Sequence, residues 1–420
     1  MINSNQLVKW RREFHQYPES GWTEFVTTAK VVTVLRELGY EVKLGPEIIN
    51  RDFIQGRNQQ EVAESLKAAY QKVDAALLDE MDELPGCVAI LDTGKPGPTF
   101  GFRFDIDCVQ VSESDSADHI PTKEGFASCR PGLMHSCGHD GHTAIGLGVA
   151  TWLMENRDKL SGKYKLVFQP AEEGVRGARP ITESGILNDV DYFQALHIGA
   201  GVESGEVSLN PKGFQCSTKM DFYFYGEPAH AGAEPQKGRN ALAGACNAAM
   251  LMLATPRHSG GTSRINVGKI SAGEGRNIIP AQGHLQVEVR GQTQEINDYL
   301  AEHVTRCAQS SALAYELEMK KEIMGEAIDL INSPEMIAIV EEVARGIPHL
   351  TICPETSCTG SEDATIMIRR VQDRGGKAIY YIVGSALPQG HHKTKFDFEE
   401  KVLTTGVELM TGTVLKILAA

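Results

Sequence analysis

The sequence predicts an α/β protein in which a mixed, largely parallel sheet flanked by helices is interrupted by a separate α+β unit. Three observations predict it. Apolar strand-like runs alternate with helical patterns toward both ends of the chain. Between 214 and 325 the order changes to strand, helix, strand, strand, helix, strand. The chain has 420 residues and 41% hydrophobic content, enough for two cores rather than one.

In chain order, Leu7, Trp10 and Phe14 recur at helical spacing. After a break at Pro18 the pattern resumes in TAKVVTVLRELGY, with Gly39 as the expected C-cap. The segment from about 46 to 84 is polar. Its Val62, Leu66, Tyr70, Val73, Leu77 and Met81 form one apolar stripe, which predicts a surface helix packed on the body rather than a partner-binding helix. GCVAILDTG, PTFGFRFDID, KYKLVFQP and YFQALHIG read as strands, and a helix is expected to begin near Thr143 in TAIGLGVATWLMENR. The middle block runs TKMDFYFYGE, GRNALAGACNAAMLMLA, SRINVGKISAG, AQGHLQVEVRGQ, a helix from about Gln294, then AYELEMKKE. That β-α-β-β-α-β order is the split ferredoxin-like unit, compact by itself. AIYYIVG and FEEKVLTTGVELMTGTVLKIL then return to the first pattern. We therefore expect one domain over 1–213 and 326–420, and an inserted one over 214–325.

Composition excludes several classes. The formal net charge is −14 and no Lys/Arg block is present, which argues against nucleic acid and acidic membrane surfaces. No apolar run reaches the roughly 18 residues of a membrane span. The opening MINSNQLVKWRREFHQYPES has no apolar secretory core. Nine scattered cysteines without a framework spacing point to free thiols in a reducing cytoplasm.

The chemistry collects at a few junctions. MHSCGHDGHTA places three histidines, a cysteine and an aspartate between 135 and 142. Gly138 and Gly141 permit a tight backbone, and alternation along an extended segment would let His135, Cys137 and His139 converge. A zinc ribbon needs a second close Cys/His pair, and none follows. Further ligands must come from remote segments. VFQPAEEG puts Glu172 and Glu173 beyond a strand, at the edge where open α/β sheets gather functional groups. Adjacent carboxylates point apart, so one can bind a cation while the other acts as a base. YFQALHIG carries His197 at a strand end, and GHHKTKFDFEE offers His391 and His392 after AIYYIVG. Each has a bland reading alone, as a solvated Glu pair or a structural strand-end histidine. Together, four junctions that each carry a metal-competent side chain point to a metal centre.

These blocks, with DID, GEPAHAGAEPQKGRNAL, GRNIIP and GSEDA, resemble the dimetal aminoacylase and carboxypeptidase family, in its indole-acetyl-amino-acid hydrolase branch. They run in family order over nearly the whole chain. The resemblance implies a zinc-peptidase-like catalytic domain with an inserted lid or dimerisation domain. It also implies two divalent ions, manganese or zinc, held by Cys137, His139, Glu173, His197 and a histidine of the last block. The family's usual His-Ser-Pro-x-Phe aligns with His392 to Phe396, which selects His392 over His391.

Glu172 is then the expected general base, taking a proton from water and passing it to the leaving amine. Asp107 and Asp140 are expected to orient ligating imidazoles. The resemblance assigns His230 to the oxyanion, in a partner subunit, and Asn277, with Arg276, to the substrate's free carboxylate; Arg290 in VEVRG either helps there or pairs with an acid. Gly360 to Asp363 is expected to shape the pocket floor. Through GFASCRPGLMHSCGHDGHTAIGLG and FQPAEEGVRGARP the resemblance implies p-aminobenzoyl-glutamate as the substrate, with a broader N-acyl-amino-acid or dipeptide amidohydrolase as the alternative. The implied partners are a small N-acyl amino acid and either a second copy or a related subunit. Two rival readings stand beside this one. A cysteine hydrolase with Cys137 as nucleophile leaves Glu172, Glu173, His197 and His392 without a task. A metal-dependent scaffold protein would not need every catalytic residue in place.

Overall fold

The computed structural model describes residues 3–353, 356 and 360–419. The chain divides into two compact units: Met1–Lys212 with Leu330–Cys358 and Asp363–Ala420, and Gly213–Asp329 with Thr359–Glu362.

Unit 1 opens with α1 (Ser4–Gln16) and α2 (Phe25–Leu38). Asn3 caps the first by accepting the Gln6 N–H, and Gly39 ends the second at φ 94°, as the sequence predicts. Next come β1 (Glu41–Lys43), α3 (Gln59–Ala69) and α4 (Ala75–Met81). The 46–84 segment is thus two helices, not one continuous stripe. Asp74 accepts the Ala76 N–H at 3.0 Å and restarts the helix. A short acidic side chain that caps its own backbone competes with continuing the helix through it. Val62, Leu77 and Met81 are buried, whereas Tyr70 is exposed.

β2 (Cys87–Asp92), β3 (Thr99–Asp105), α5 (Ile120–Glu124), α6 (His139–Glu155), β4 (Lys163–Gln169), α7 (Ala178–Thr182), β5 (Tyr192–Ile198) and β6 (Glu206–Ser208) follow. α6 starts four residues before the expected Thr143, because Gly138 takes φ 94° and turns the chain directly into the helix. α6 is buried along most of its length. It lies so close to the sheet that a Cβ at Gly146 would come within 2.7 Å of Phe104 and Phe168.

Unit 2 holds β7 (Cys216–Tyr225), α8 (Ala241–Leu253), β8 (Ser263–Ala272), β9 (Gln282–Gly291), α9 (Gln294–Ala314) and β10 (Glu318–Ala327). Its antiparallel sheet has the order β10-β7-β9-β8, the ferredoxin-like arrangement. Alternate residues Met220, Phe222 and Phe224 of β7 and Leu285, Val287 and Val289 of β9 build its core. Ile296, Leu300, Val304 and Ala308, spaced four apart on α9, pack in the same core.

Unit 1 resumes with α10 (Pro334–Arg345), β11 (Thr351–Ile352), α11 (Ala364–Asp373), β12 (Lys377–Val383) and α12 (Lys401–Leu418). Among the described residues its sheet has eight strands in the order β1-β2-β4-β3-β5-β12-β6-β11. The central run β4-β3-β5-β12 is parallel, while β1, β2 and the β12–β6 pairing are antiparallel. Every residue of β3 is buried, as a central strand covered on both faces requires. Because these four strands run the same way, their C-terminal ends share one edge, and the acids and histidines singled out above collect there.

Candidate metal centre

Asp107, two residues past the end of β3, is the hub of that edge. Its Oδ1 takes the Glu172 N–H at 3.1 Å and its Oδ2 the Glu173 N–H at 2.9 Å. His139 Nδ1 lies 3.2 Å from the same Oδ1 and 3.0 Å from the Asp107 carbonyl. Both oxygens only accept, so Nδ1 carries a proton and Nε2 is the nitrogen turned toward the cluster. That Nε2 is buried without a hydrogen-bond partner. His197, next to last in β5, is set the same way: Nδ1 donates to the Ile198 carbonyl at 2.8 Å, and Nε2 faces Cys137 Sγ at 3.5 Å.

The loop after β12 closes the group. His392, at φ 61°, donates its backbone N–H to the Ser136 carbonyl at 2.8 Å. Its Nε2 lies 3.2 Å from Glu173 Oε1. Ligand-competent atoms of Cys137, Glu173 and His392 come within 4.8 Å of one another, as do those of Cys137, His197 and His391, and of His139, Glu172 and Glu173. His391 Nε2 accepts the Ala200 N–H at 3.0 Å. In its neutral form the His391 proton therefore sits on Nδ1, and neither nitrogen has a lone pair to spare.

The electrostatics fit a cation. Burial and the neighbouring Glu173 push the Cys137 thiol well above its usual range. Burial opposes charge on His139, but Asp105 and Cys137 outweigh it and raise the imidazole well above its ordinary value. Hydrogen bonding to Glu173 raises His392 against burial. Burial, reinforced by His142 and His391, holds His197 neutral. Protons on His139, His392 and Cys137 thus compensate Glu173, which its imidazole partners keep ionised against burial. Divalent ions would displace those protons and take the lone pairs. The orphaned Nε2 of His139 and the mix of thiolate, imidazole and carboxylate donors both suit such ions.

Two expectations need correction. His135 does not converge with Cys137 and His139, because the segment is not extended: Gly138 is left-handed and His139 already lies in α6. Both ring nitrogens of His135 are buried without partners, and among the described residues it joins no ligand group. Burial pushes it down to about 3. Asp140 does not orient a ligating imidazole. It accepts from Arg11 Nε at 2.9 Å and pairs with His15 Nδ1 at 2.8 Å, tying α1 to α6.

Asp105 and His142 were missed. Ile198 donates its N–H to His142 Nε2 at 3.0 Å, so Nδ1 carries the proton and gives it to Asp105 Oδ1 at 2.6 Å. Asp105 also takes Arg103 Nη1 at 2.7 Å, and Arg103 Nη2 reaches Asp363 at 3.0 Å. Asp363 in turn holds Gln169 and the N–H groups of Gly177 and Ala178. The motif spacing carries both: Asp105 and Asp107 share a strand face, and His139 and His142 share a helix face.

Within unit 2, His230 is exposed and bridges to Ile278, while Ala231 donates to the Asn277 carbonyl at 3.0 Å. His230, Arg276 and Asn277 therefore occupy one corner of that unit. The N–H groups of Gly232 and Ala233 point at His230 Nδ1, which leaves Nε2–H as a donor. Arg290 is engaged with Glu288 at 3.0 Å. The eight cysteines among the described residues are free thiols, and no helix there is long and apolar enough to cross a membrane.

The chain is similar to several known proteins. A homologue of a p-aminobenzoyl-glutamate hydrolase subunit, from Haemophilus influenzae, is 48% identical, covering 100% of both chains. An "Indole-3-acetyl-aspartic acid hydrolase" of Enterobacter agglomerans is 43% identical over 98% of this chain and 95% of its own. The crystal structure of an aminobenzoyl-glutamate utilization protein from Klebsiella pneumoniae superposes with a TM-score of 0.83 at 38% identity, covering 98% of this chain and 95% of that one. Residues 101–416 match the Peptidase family M20/M25/M40, and the chain belongs to that family.

Proposed function

We propose that this chain hydrolyses the amide bond of an N-acylated amino acid with a free carboxylate, and that p-aminobenzoyl-glutamate is its substrate, yielding p-aminobenzoate and glutamate. The observation that carries the reading is that Glu173 belongs to two overlapping ligand groups, one with Cys137 and His392 and one with His139 and Glu172, as a side chain between a pair of ions would. Cys137, His139, Glu173, His197 and His392 would hold two divalent ions, Mn2+ or Zn2+. The engagement of His391 Nε2 with Ala200 supports the choice of His392. When bound, the ions would lower the pKa of water and polarise the amide carbonyl.

The chain's own groups do the rest. Glu172 Oε2 lies 3.9 Å from His139 Nε2, at the rim of the ligand set. It removes a proton from water as the oxygen attacks the carbonyl carbon, then delivers that proton to the leaving nitrogen. Asp107 keeps His139 in the tautomer that presents Nε2, and anchors the backbone of Glu172 and Glu173. His230 Nε2–H is the oxyanion donor to the centre of a partner subunit, and Asn277 with Arg276 takes the substrate carboxylate. Arg290, expected at the same carboxylate, is paired with Glu288 at the opposite end of β9 from Asn277 and is left out of that role. The protein works in the cytoplasm with a second copy or a related subunit.

A nucleophilic role for Cys137 is disfavoured, because burial keeps its proton on unless a cation replaces it. The Enterobacter relative keeps a second substrate in view, an indole-acetyl amino acid. A panel of p-aminobenzoyl-, acetyl- and indole-acetyl-amino acids, assayed with added Mn2+, tests the proposal. The highest kcat/KM should fall on p-aminobenzoyl-glutamate, with activity lost to a chelator. Preference for another acyl group would overturn the substrate, and chelator resistance combined with inactivation by thiol alkylation would overturn the chemistry.

A further inference from the structure

Arg176 follows Glu173 by three residues and ties two separate stretches of backbone together. Its Nε donates to the Glu173 carbonyl at 2.8 Å and its Nη1 to the Gly56 carbonyl at 2.9 Å. Gly56 lies in the 46–84 segment. The adjacent Gln55 carbonyl takes Trp22 Nε1–H at 2.8 Å, and Trp22 is itself buried. Gly21 completes the contact: a Cβ there would come 2.3 Å from Arg176 Nη2 and 2.9 Å from Ala171 Cα. Stretches 21–22, 55–56 and 171–176 therefore close on one another.

The turn they close on is strained. Ala171 (φ 55°) and Val175 (φ 59°) both occupy the left-handed region that side chains disfavour. Such a conformation persists only where its surroundings over-determine it. On its amide side, Glu24 accepts the Ala171 N–H at 2.7 Å and Asp107 takes those of Glu172 and Glu173. On its carbonyl side, Val175 and Arg176 N–H groups close the turn on itself, and the Arg176 side chain carries the Glu173 carbonyl outward to Gly56. A guanidinium suits this bridge because its N–H groups are fixed in one plane and reach two acceptors at once.

We propose that Arg176 is a positioning residue through which the 46–84 segment sets the direction of the Glu172 and Glu173 side chains. The inference rests on the reading of Glu172 as base and Glu173 as ligand. The carbonyl that Arg176 holds belongs to the Glu173–Gly174 peptide, so releasing it frees ψ at Glu173 and slackens the 171–176 turn that also carries Glu172, and a misplacement of about 1 Å at such a site can cost about 100-fold in rate.

The test compares the full-length parent with Arg176→Ala, Arg176→Lys and Glu172→Gln. It reads kcat and KM, Mn2+ affinity by calorimetric titration of chelator-stripped protein, hydrogen exchange over 171–176, and the unfolding midpoint. Arg176→Ala should lower Mn2+ affinity and kcat by about 10- to 100-fold. KM should hold, exchange in the turn should quicken, and the midpoint should barely move. Arg176→Lys, which keeps the charge but lacks the fixed planar fork, should fall between. Parent-level Mn2+ affinity and kcat in Arg176→Ala, with Glu172→Gln inactive, would overturn the brace and leave the proposed function standing. Equal losses in both Arg176 variants that track only the fraction of folded protein would also overturn it. Parent-level activity in Glu172→Gln would remove the functional reading, and the brace with it.

Discussion

Asp107 satisfies three groups at once, and that is why one strand-end carboxylate matters to so much of the site. It fixes the His139 tautomer and holds the two adjacent glutamates by their backbone, so their side chains are free to diverge. Asp107→Asn would keep one acceptor but turn an NH2 group toward a backbone N–H or toward His139. Divalent-ion affinity should drop by about 10- to 100-fold, readable by titration of the stripped protein. Glu172→Gln removes the base without disturbing that anchor. Its kcat should fall by about 10²- to 10⁴-fold with bound metal unchanged, measured by steady-state kinetics beside elemental analysis. The individual residues that the sequence reveals, Cys137, His139, Glu173 and His197, are those whose side chains themselves do the chemistry. Asp105, His142, Glu24 and Arg176 act by holding backbone or other side chains. Spacing sets Asp105 beside Asp107 and His142 beside His139, but the pairings themselves, 37 residues apart for Asp105–His142 and 147 for Glu24–Ala171, leave no local signal.

α6 carries His139 on its first turn and is pressed against the sheet, so its position depends on small residues. Gly146→Ala would put a Cβ 2.7 Å from Phe104 and Phe168. Overpacking of this kind costs about 1–3 kcal/mol, which urea denaturation would resolve. The start of α2 gives a pH-dependent counterpart. Glu19 accepts Val26 and Thr27 N–H groups, yet burial pushes its carboxyl up to about 7. A carboxyl raised in the folded state favours folding fully below its unfolded value, and loses that contribution as pH rises through 7. The parent should therefore lose about 2 kcal/mol relative to Glu19→Gln between pH 5.5 and 8, by denaturant titration at both pH values. A constant difference would show that the donors already keep Glu19 charged. Element boundaries were legible where glycine or proline marks them, as at Gly39. They failed where a capping side chain or a left-handed residue intervened, at Asp74 and Gly138.

Across the full chain, the parallel run β4-β3-β5-β12 brings acids and imidazoles distant in sequence to one sheet edge. The α/β class was legible because central strands buried on both faces are continuous apolar runs, and unit 2 because its strand and helix periods alternate cleanly. The order of strands within the larger sheet was not legible, since β6 and β11 are too short to leave a pattern. What the fold delivers is a set of lone pairs with protons held in their place, and the proposed function requires divalent ions to replace those protons. Titrating Mn2+ into chelator-stripped protein, with turnover followed in the same samples, is the sharpest test of that exchange. Activity should be absent at the start and return in step with the filling of two ions per chain. Full turnover by the stripped chain would contradict it.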